Sequence, residues 1–527
     1  MNQSCEYLLS LKAGDILVRI RRKYLSLSIS AVYILVVSTA AYLLFSGWAY
    51  DDPFITYRYA HNLTRGLGFV YNPGERILST TTPLFTLLLA LLNFATSDLP
   101  RLANLIGAIS IAMGGLLLWD LAKTWKTPVV GWIGLLLYPT FSLPLITLGS
   151  ETPLYIALCL SAIAFYARQR YSAAAALAAL ATLARPDGIL VAIVLGAHFL
   201  LRIRRPIPWK ALLIFGGLLV PWFLFAWSYF GHPLPVTLVA KQQQGTLAVS
   251  QTFAPGLLWI IDWYNGSWQY WLEAALAILG VFWLVRKTPQ WALLLAWTMA
   301  YFVSYSLLGV SRYFWYYAPL VPGYIALVGL GLTAISQLIQ AGRLHPTSQP
   351  ASTAHTEDGH SQPADQTRQS ATRLRISCLM VGVLLISLTV AQLFDVYKLT
   401  ITPDPRAAAY RTVGEWLRDN TPSDSLISSL EIGIIGYYAE RRVVDFAGLL
   451  QPDVAQRMHN NTTYDETAIW AVTNYSPDYI VLVKGDLPAL KRGYLNEYCR
   501  VEEHFQSADY GPAAFIDVYA CPKGAGS

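Results

Sequence analysis

Charge is what this 527-residue chain has least of. Only 13% of its residues are Asp, Glu, Lys or Arg, about half of the roughly 25% found in soluble globular domains. So little charge cannot cover a water-soluble surface of this size. Cysteine is also scarce. The five present (Cys5, Cys159, Cys378, Cys499 and Cys521) form no C-x-x-C pair, which argues against zinc and dithiol redox chemistry. Of eight histidines, only His61 and His232 lie near other candidate groups; His198 reads as helix packing, His345, His355 and His360 fall in a polar stretch, and His459 and His504 lie near the end. A histidine-based metal centre is therefore not expected. No P-loop and no G-x-G-x-x-G after a strand is present, so no nucleotide cofactor is expected. No internal repeat is evident. No cleavable leader is expected either: the first apolar run follows Arg19, Arg21, Arg22 and Lys23 without a small-residue cleavage site and reads as a permanent anchor.

Apolar residues, at 54%, dominate what is there. They come in runs long enough to cross a bilayer. Eleven runs are credible spans: 27–46, 102–119, 128–147, 152–167, 171–185, 188–203, 210–230, 267–285, 290–308, 316–340 and 376–396. The three between 152 and 203 reach only about 22–25 Å against a hydrocarbon core of roughly 30 Å. A twelfth run, 83–95, fits an interfacial or re-entrant helix better than a span. The net charge of +6 is not a nucleic-acid footprint, because the basic residues sit in short clusters between apolar runs. If 83–95 does not cross, the clusters around Arg21, Lys123, Arg168, Arg202–Lys210, Arg286 and Arg373 all fall on one side, while the opposite loops are poorer in Lys and Arg. The positive-inside rule then makes the N-terminal tail (1–26) cytoplasmic and the first loop (47–101) extracytoplasmic, and eleven spans leave the C-terminus outside.

Residues 341–373 contain no aromatic, Ile or Val and are rich in Ser, Thr, Gln and Pro. They read as a disordered cytoplasmic linker. After the last span (374–396), residues 397–527 read as a small α/β domain, with a helix-like segment at 410–417 and strand candidates at 426–430, 443–446, 479–483 and 515–520. Cys499 and Cys521 would pair if that domain faces an oxidising compartment; the sequence leaves this open. The expected fold is thus a polytopic α-helical membrane protein of about eleven transmembrane helices, plus juxtamembrane helices, with a small C-terminal extracytoplasmic α/β domain.

This topology gathers the unusual polar residues on one face. Asp51 and Asp52 directly follow the first span, Glu151 opens the fourth, Arg185 and Asp187 flank Pro186, Lys241 ends the run Pro233–Lys241, and Arg312 precedes an aromatic cluster. Adjacent acids repel, so one carboxyl keeps its proton to higher pH or both share a cation. Such a cation would be Mg²⁺, Mn²⁺ or Ca²⁺, held by carboxylates such as Asp52 and Glu151. Each residue also has a plain alternative: a solvated acid pair, a helix N-terminal charge at Glu151, a local Arg185–Asp187 turn, or Lys241 and Arg312 snorkelling to headgroups. Taken together the alternatives weaken, because ionisable groups at membrane depth are costly and usually functional.

The segment Asp51-Asp-Pro-Phe-Ile-Thr-Tyr-Arg58, continuing through Gly66-Leu-Gly-Phe-Val-Tyr-Asn-Pro-Gly-Glu75-Arg, resembles the first extracytoplasmic loop of GT-C superfamily glycosyltransferases. It is most similar to the branch containing the arabinofuranosyltransferases of mycobacterial cell walls. Gly149-Ser-Glu151-Thr-Pro-Leu, Arg185-Pro-Asp187-Gly, the loop ending at Lys241, Arg312-Tyr-Phe, and, in the terminal domain, Gly433…Gly436-Tyr-Tyr and Val444-Asp-Phe-Ala-Gly-Leu follow in the family's order. The loop at Leu234-Pro-Val-Thr departs from the usual Leu-Pro-Asn-Thr type. The resemblance implies a polyprenyl-phosphate-linked sugar as donor and an extracytoplasmic glycan, lipid or protein as acceptor, with membrane lipid around it and no nucleic acid. It implies Asp51 or Asp52 as general base, Glu151 as a cation or acceptor ligand, Lys241, Arg312 and Arg185 against the donor phosphate, and Arg58, Glu75 and Asp187 in support. Direct displacement would invert the anomeric carbon. The competing expectations are a transporter or flippase of a lipid-linked sugar, which would place charges at mid-span, and a non-catalytic sugar-binding or assembly protein.

Overall fold

The computed structural model describes residues 27–341 and 363–522, apart from 204, 248–249, 403, 461, 484 and 507–514. The basic tail 1–26 and most of the expected linker lie outside the described residues. The helices, in chain order, are α1 (Leu27–Leu44), α2 (Asp52–Thr64), α3 (Pro83–Asn93), α4 (Leu99–Thr124), α5 (Pro128–Leu137), α6 (Ser142–Leu145), α7 (Thr152–Ala167), α8 (Tyr171–Ala184), α9 (Ile189–His198), α10 (Trp209–Phe230), α11 (Thr237–Thr246), α12 (Phe253–Asn265), α13 (Trp268–Lys287), α14 (Ala292–Leu308), α15 (Val321–Gln340) and α16 (Pro363–Ile401). Among the described residues eight helical segments are long and apolar enough to cross a bilayer. Three of the eleven expected spans, 128–147, 152–167 and 171–185, coincide with shorter apolar helices.

The reasons are local. Pro139 and Pro144 each remove a backbone donor, so the run 128–147 breaks into α5 and α6 instead of forming one helix. Helix α7 is buried along most of its length, so its neighbours and not lipid decide how long it must be. Helix α8 is alanine at eight of its 14 positions, and small side chains let α7 and α10 approach it closely. Helix α3, 11 residues long, is only about 16 Å in length. Helix α16 starts at Pro363, inside the stretch 341–373 that the composition marks as unstructured.

Beyond α16 lie α17 (Arg406–Asn420), β1 (Leu426–Ser429), α18 (Ile434–Ala439), β2 (Arg442–Asp445), α19 (Pro452–Ala455), α20 (Tyr464–Tyr475), β3 (Tyr479–Val483), β4 (Arg500–Gln506) and β5 (Phe515–Ala520). The sheet order is β2-β1-β3-β5-β4. β1 pairs in parallel with β2 and β3, while β5 runs antiparallel to β3 and β4. The centre of β3, Ile480-Val-Leu482, is buried, as a strand covered on both faces requires. The edge strand β4 is mostly exposed and carries Arg500, Glu502 and Glu503, charges that discourage edge-to-edge pairing. A Cys499–Cys521 disulfide joins the start of β4 to the end of β5.

This unit does not hang free on its helix. Phe54, Tyr57, Tyr59 and Tyr71 of the first loop share one buried cluster with Tyr410, Ile432, Ile434, Ile435 and Val443. Burying that apolar surface, at about 25 cal/mol per Å² removed from water, fastens the α/β unit over the mouth of the helical bundle.

Candidate active site

Helix α2 begins directly after Asp51, with Pro53 in its first turn, where a missing N–H costs nothing. The two adjacent acids therefore leave the chain in different directions. Asp51 reaches the C-terminal unit, where its carboxylate accepts from Gly433 N at 2.7 Å and Ile434 N at 2.8 Å. Residue 433 must be glycine for this approach, because a Cβ there would collide with the Asp51 carbonyl. Asp52 turns the other way and pairs with Lys241, its Oδ1 3.2 Å from Nζ. Lys241 is only 8% exposed and lies over the Tyr313 ring at 4.0 Å and the Trp315 ring at 5.6 Å. Burial disfavours its charge, but the neighbouring Asp52 outweighs that and holds the Lys241 pKa high. Burial, together with the charge of Asp52, pushes Asp51 above the ordinary carboxylate range, against the pull of its two backbone donors.

Opposite Asp52, the start of α7 and the turn between α8 and α9 build a second charged group. Arg185 Nη1 lies 3.2 Å from Glu151 Oε1 and Nε lies 3.1 Å from Asp187 Oδ1. The same guanidinium donates to Thr152 Oγ1 at 3.1 Å and to Tyr305 Oη at 2.8 Å. Its donors are thus largely committed to the protein. Burial raises the Glu151 pKa, and Arg185 moderates the rise.

These residues line two cavities. One, about 330 Å³, is bounded by Asp52, Glu151, Arg185, Asp187 and Lys241, by the hydroxyls of Thr56, Ser79 and Thr80–Thr82, and by Ile189, Leu234, Leu238 and Leu308. The last four are more than a third exposed, so that wall is apolar and open at the protein surface. The other, about 340 Å³, lies beneath the C-terminal unit and is bounded by Asp51, Asp52, Lys241, Gln244, Tyr313, Trp315, Asp404, Arg406, Tyr410, Glu431 and Tyr464. Tyr50, Asp52, Lys241, Trp315 and Leu449 belong to both walls. Of the expected acids, only Asp52 faces both spaces.

Three expected residues lie elsewhere. Arg312 lines neither cavity; its Nη1 donates to Gln251 Oε1 at 2.6 Å and its guanidinium covers the Trp259 ring at 5.1 Å. Arg58 is buried and donates to the carbonyls of Tyr71, Gly436 and Arg441, tying the first loop to the C-terminal unit. Glu75 accepts from Asn72 and pairs with Arg442 at 2.5 Å, in the same junction. The reason is common to all three: their nearest partners come from chain segments that spacing alone cannot bring together. Glu431 and Arg406 drew no notice in the sequence. The usable signal was position, since Glu431 follows β1 at its C-terminal end, where open α/β sheets place their ligands.

The divalent cation that Asp52 and Glu151 would share finds a poor donor set. Lys241 already pairs with Asp52 and Arg185 with Glu151, and among the described residues no group of three or more His, Cys, Asp or Glu side chains converges to hold a metal ion.

No curated protein matches the sequence. A family model described as a domain of unknown function, DUF8728, matches residues 399–519, which is the C-terminal unit. Among solved structures, the chain is similar to ArnT from Cupriavidus metallidurans in the apo state, at a TM-score of 0.56 and 14% identity over 94% of this chain and 98% of that one. It is also similar to the Archaeoglobus fulgidus oligosaccharyltransferase in the apo form, at a TM-score of 0.55 and 14% identity, covering 94% of this chain and 74% of that one. Arabinosyltransferase EmbB from Mycobacterium smegmatis is matched over 71% of this chain and 40% of that one, at a TM-score of 0.39 and 12% identity. The chain thus shares the fold of ArnT and of the archaeal oligosaccharyltransferase.

Proposed function

We propose that this chain, which has the GT-C fold, transfers a sugar from a polyprenyl-phosphate donor to a hydroxyl of an extracytoplasmic acceptor. The observation that carries the reading is the position of Asp52, the carboxylate common to a cavity with an exposed apolar wall and a second cavity beneath the C-terminal unit. The prenyl chain would lie along Leu234, Leu238 and Leu308, with the sugar phosphate inside. The acceptor hydroxyl would enter from the other side. Asp52 takes its proton as the oxygen attacks the anomeric carbon; the C–O bond to phosphate breaks on the far face, and the product is inverted. Negative charge grows on the departing phosphate, and Lys241 is the cation within reach to stabilise it. Arg185, bound to Glu151 and Asp187, orients the wall and supplies its remaining positive field.

Two observations support an extracytoplasmic site. The charge bias of the loops puts the first loop outside, and the Cys499–Cys521 disulfide of the unit docked on that loop suits an oxidising compartment.

The test is turnover of a labelled polyprenyl-phosphate sugar by the full chain in nanodiscs with an envelope extract as acceptor. Asp52→Asn should lower the rate by about 10²–10⁴-fold, the usual contribution of a general base, while Asp51→Asn lowers it far less. Undiminished turnover by the Asp52 variant would remove the base assignment.

A further inference from the structure

A groove of about 540 Å³ lies at the other end of the helical bundle from both cavities. Helix α7 starts next to Glu151 and runs 16 residues to Ala167, so the turn that follows it stands about 24 Å from the first cavity. That turn, residues 169–173, makes one wall of the groove. Pro208-Trp209-Lys210, at the start of α10, makes the other. Both walls are preformed. Gln169 N and Arg170 N donate to the carbonyls of Tyr166 and Phe165 at 2.8 and 2.9 Å. Pro206 and Pro208 fix φ in the approach to α10, and Arg205 Nη1 ties that segment to the turn by donating to Gln169 Oε1 at 3.0 Å.

The charge here has one sign. Arg170 and Lys210 both line the groove and are exposed, and among the described residues neither side chain has a hydrogen-bond or ion-pair partner. No Asp or Glu occurs from Arg168 to Ser172 or from His198 to Lys210. The acid that does reach this end, Asp120, is already paired with Arg168. Next to the cations the surface is apolar. Trp209 is 67% exposed, and Leu212 and Leu213, one turn further along α10, are at least half exposed, in a helix long and apolar enough to cross a bilayer. An indole at the first position of such a helix stands at headgroup level, with the two leucines at acyl-chain depth below it.

A ligand that satisfies both parts is a compact anion joined to apolar chains. Free phosphate would use the cations and leave the leucines bare. A zwitterionic phospholipid would bring its own cation against Arg170 and Lys210. We propose that the groove binds an anionic phospholipid, with its phosphate between Arg170 and Lys210, its glycerol against Trp209 and an acyl chain along Leu212 and Leu213. By the charge bias of the loops this is the cytoplasmic leaflet, where a negative surface potential marks the presence of such lipids. The bound lipid bridges the α7–α8 turn to α10, and it does so whether or not the chain transfers a sugar.

Native mass spectrometry of the full chain in detergent, with phosphatidylglycerol titrated against phosphatidylcholine, tests this. Each Lys or Arg at the surface adds about fivefold to the binding of an anionic headgroup. Arg170→Gln/Lys210→Gln should therefore weaken phosphatidylglycerol binding about tenfold or more and leave phosphatidylcholine unchanged. Arg286→Gln/Lys287→Gln, which removes two exposed cations outside the groove, should stay within about twofold. Phosphatidylglycerol should raise the melting temperature of the wild type and not of the groove variant, while the two melt alike in phosphatidylcholine. Added salt gives a measure that needs no variant: it should strip phosphatidylglycerol from the wild type and spare phosphatidylcholine. Equal binding of the two lipids, equal loss in both double variants, or salt-insensitive binding would overturn the proposal. So would displacement of phosphatidylglycerol by glycerol 3-phosphate, which would mark a soluble phosphate-ester site, or by a polyglutamate peptide, which would mark a protein-docking surface.

Discussion

A carboxylate that accepts one backbone N–H bond on each oxygen, as Asp51 does from Gly433 and Ile434, is held facing the C-terminal unit. Asp52 makes one contact, to Lys241, and keeps an oxygen free for an acceptor proton. The same accounting separates the cations. Lys241 lies in both cavity walls, whereas Arg312 is engaged by Gln251 and Trp259 outside them. Arg312→Ala should therefore leave kcat/KM for the donor within about threefold of wild type, while Lys241→Ala lowers it by about a hundredfold or more, as loss of a transition-state charge partner does. Steady-state kinetics with labelled donor checks this, and an equal loss in both variants would return Arg312 to the site. In the sequence the two residues looked alike, since each is a lone cation beside aromatics on the same face. Which cation reaches the reacting atoms depends on side-chain direction, and spacing does not fix that.

Between elements, the decisive contact joins the first loop to α18 and β2. Arg58 donates to two carbonyls across that junction, those of Gly436 and Arg441, and to that of Tyr71 in its own loop, and Gly436 lies against the Tyr71 hydroxyl so closely that a Cβ would collide. Arg58→Met fills a similar volume but orphans those acceptors, at about 1–3 kcal/mol for each one that stays buried. The variant should insert normally, lose much of its transfer activity, and release the C-terminal unit to trypsin faster than wild type. Wild-type protease resistance in Arg58→Met would show that the apolar cluster alone holds the junction. At this scale the chain was partly readable. Four strands fell where β-rich apolar runs stood, but β4 did not, because Arg-Val-Glu-Glu-His-Phe-Gln is an exposed edge without apolar alternation. The run 128–147 gave the composition of a span while its prolines gave the break; composition alone could not weigh one against the other.

Over the whole molecule, buried acids make stability depend on pH. Burial raises Asp51 and Glu431, which also repel each other, and raises Asp445 to about 7 although Ala447, Leu449 and Leu450 donate to it. Arg406 pulls Glu431 back down, Lys241 does so for Asp445, and Asp52 and Asp486 add to the repulsion on Glu431. The native state thus holds protons that the unfolded chain has already released between about pH 4 and 8. More protons bound natively means that stability falls as pH rises through that window. His61, lowered by burial, opposes this. The melting temperature in nanodiscs should be higher at pH 5 than at pH 8, and Glu431→Gln should narrow the gap. A higher melting temperature at pH 8 in wild type would contradict the assignment of these groups.

Hydropathy and loop charge determined that the chain is a polytopic helical membrane protein, because burial in lipid imposes length and polarity on each helix independently of its neighbours, and the first-loop motif carried the resemblance to the GT-C enzymes. They also placed Asp52, Glu151, Asp187, Arg185 and Lys241 on one face. Only the tertiary structure decided which of two adjacent aspartates lines both cavities, that Arg312, Arg58 and Glu75 lie elsewhere, and that Glu431 and Arg406 line a second cavity. Those outcomes depend on contacts between residues up to about 380 positions apart, and the packing of the C-terminal unit onto the first loop, not local pattern, sets where each side chain points.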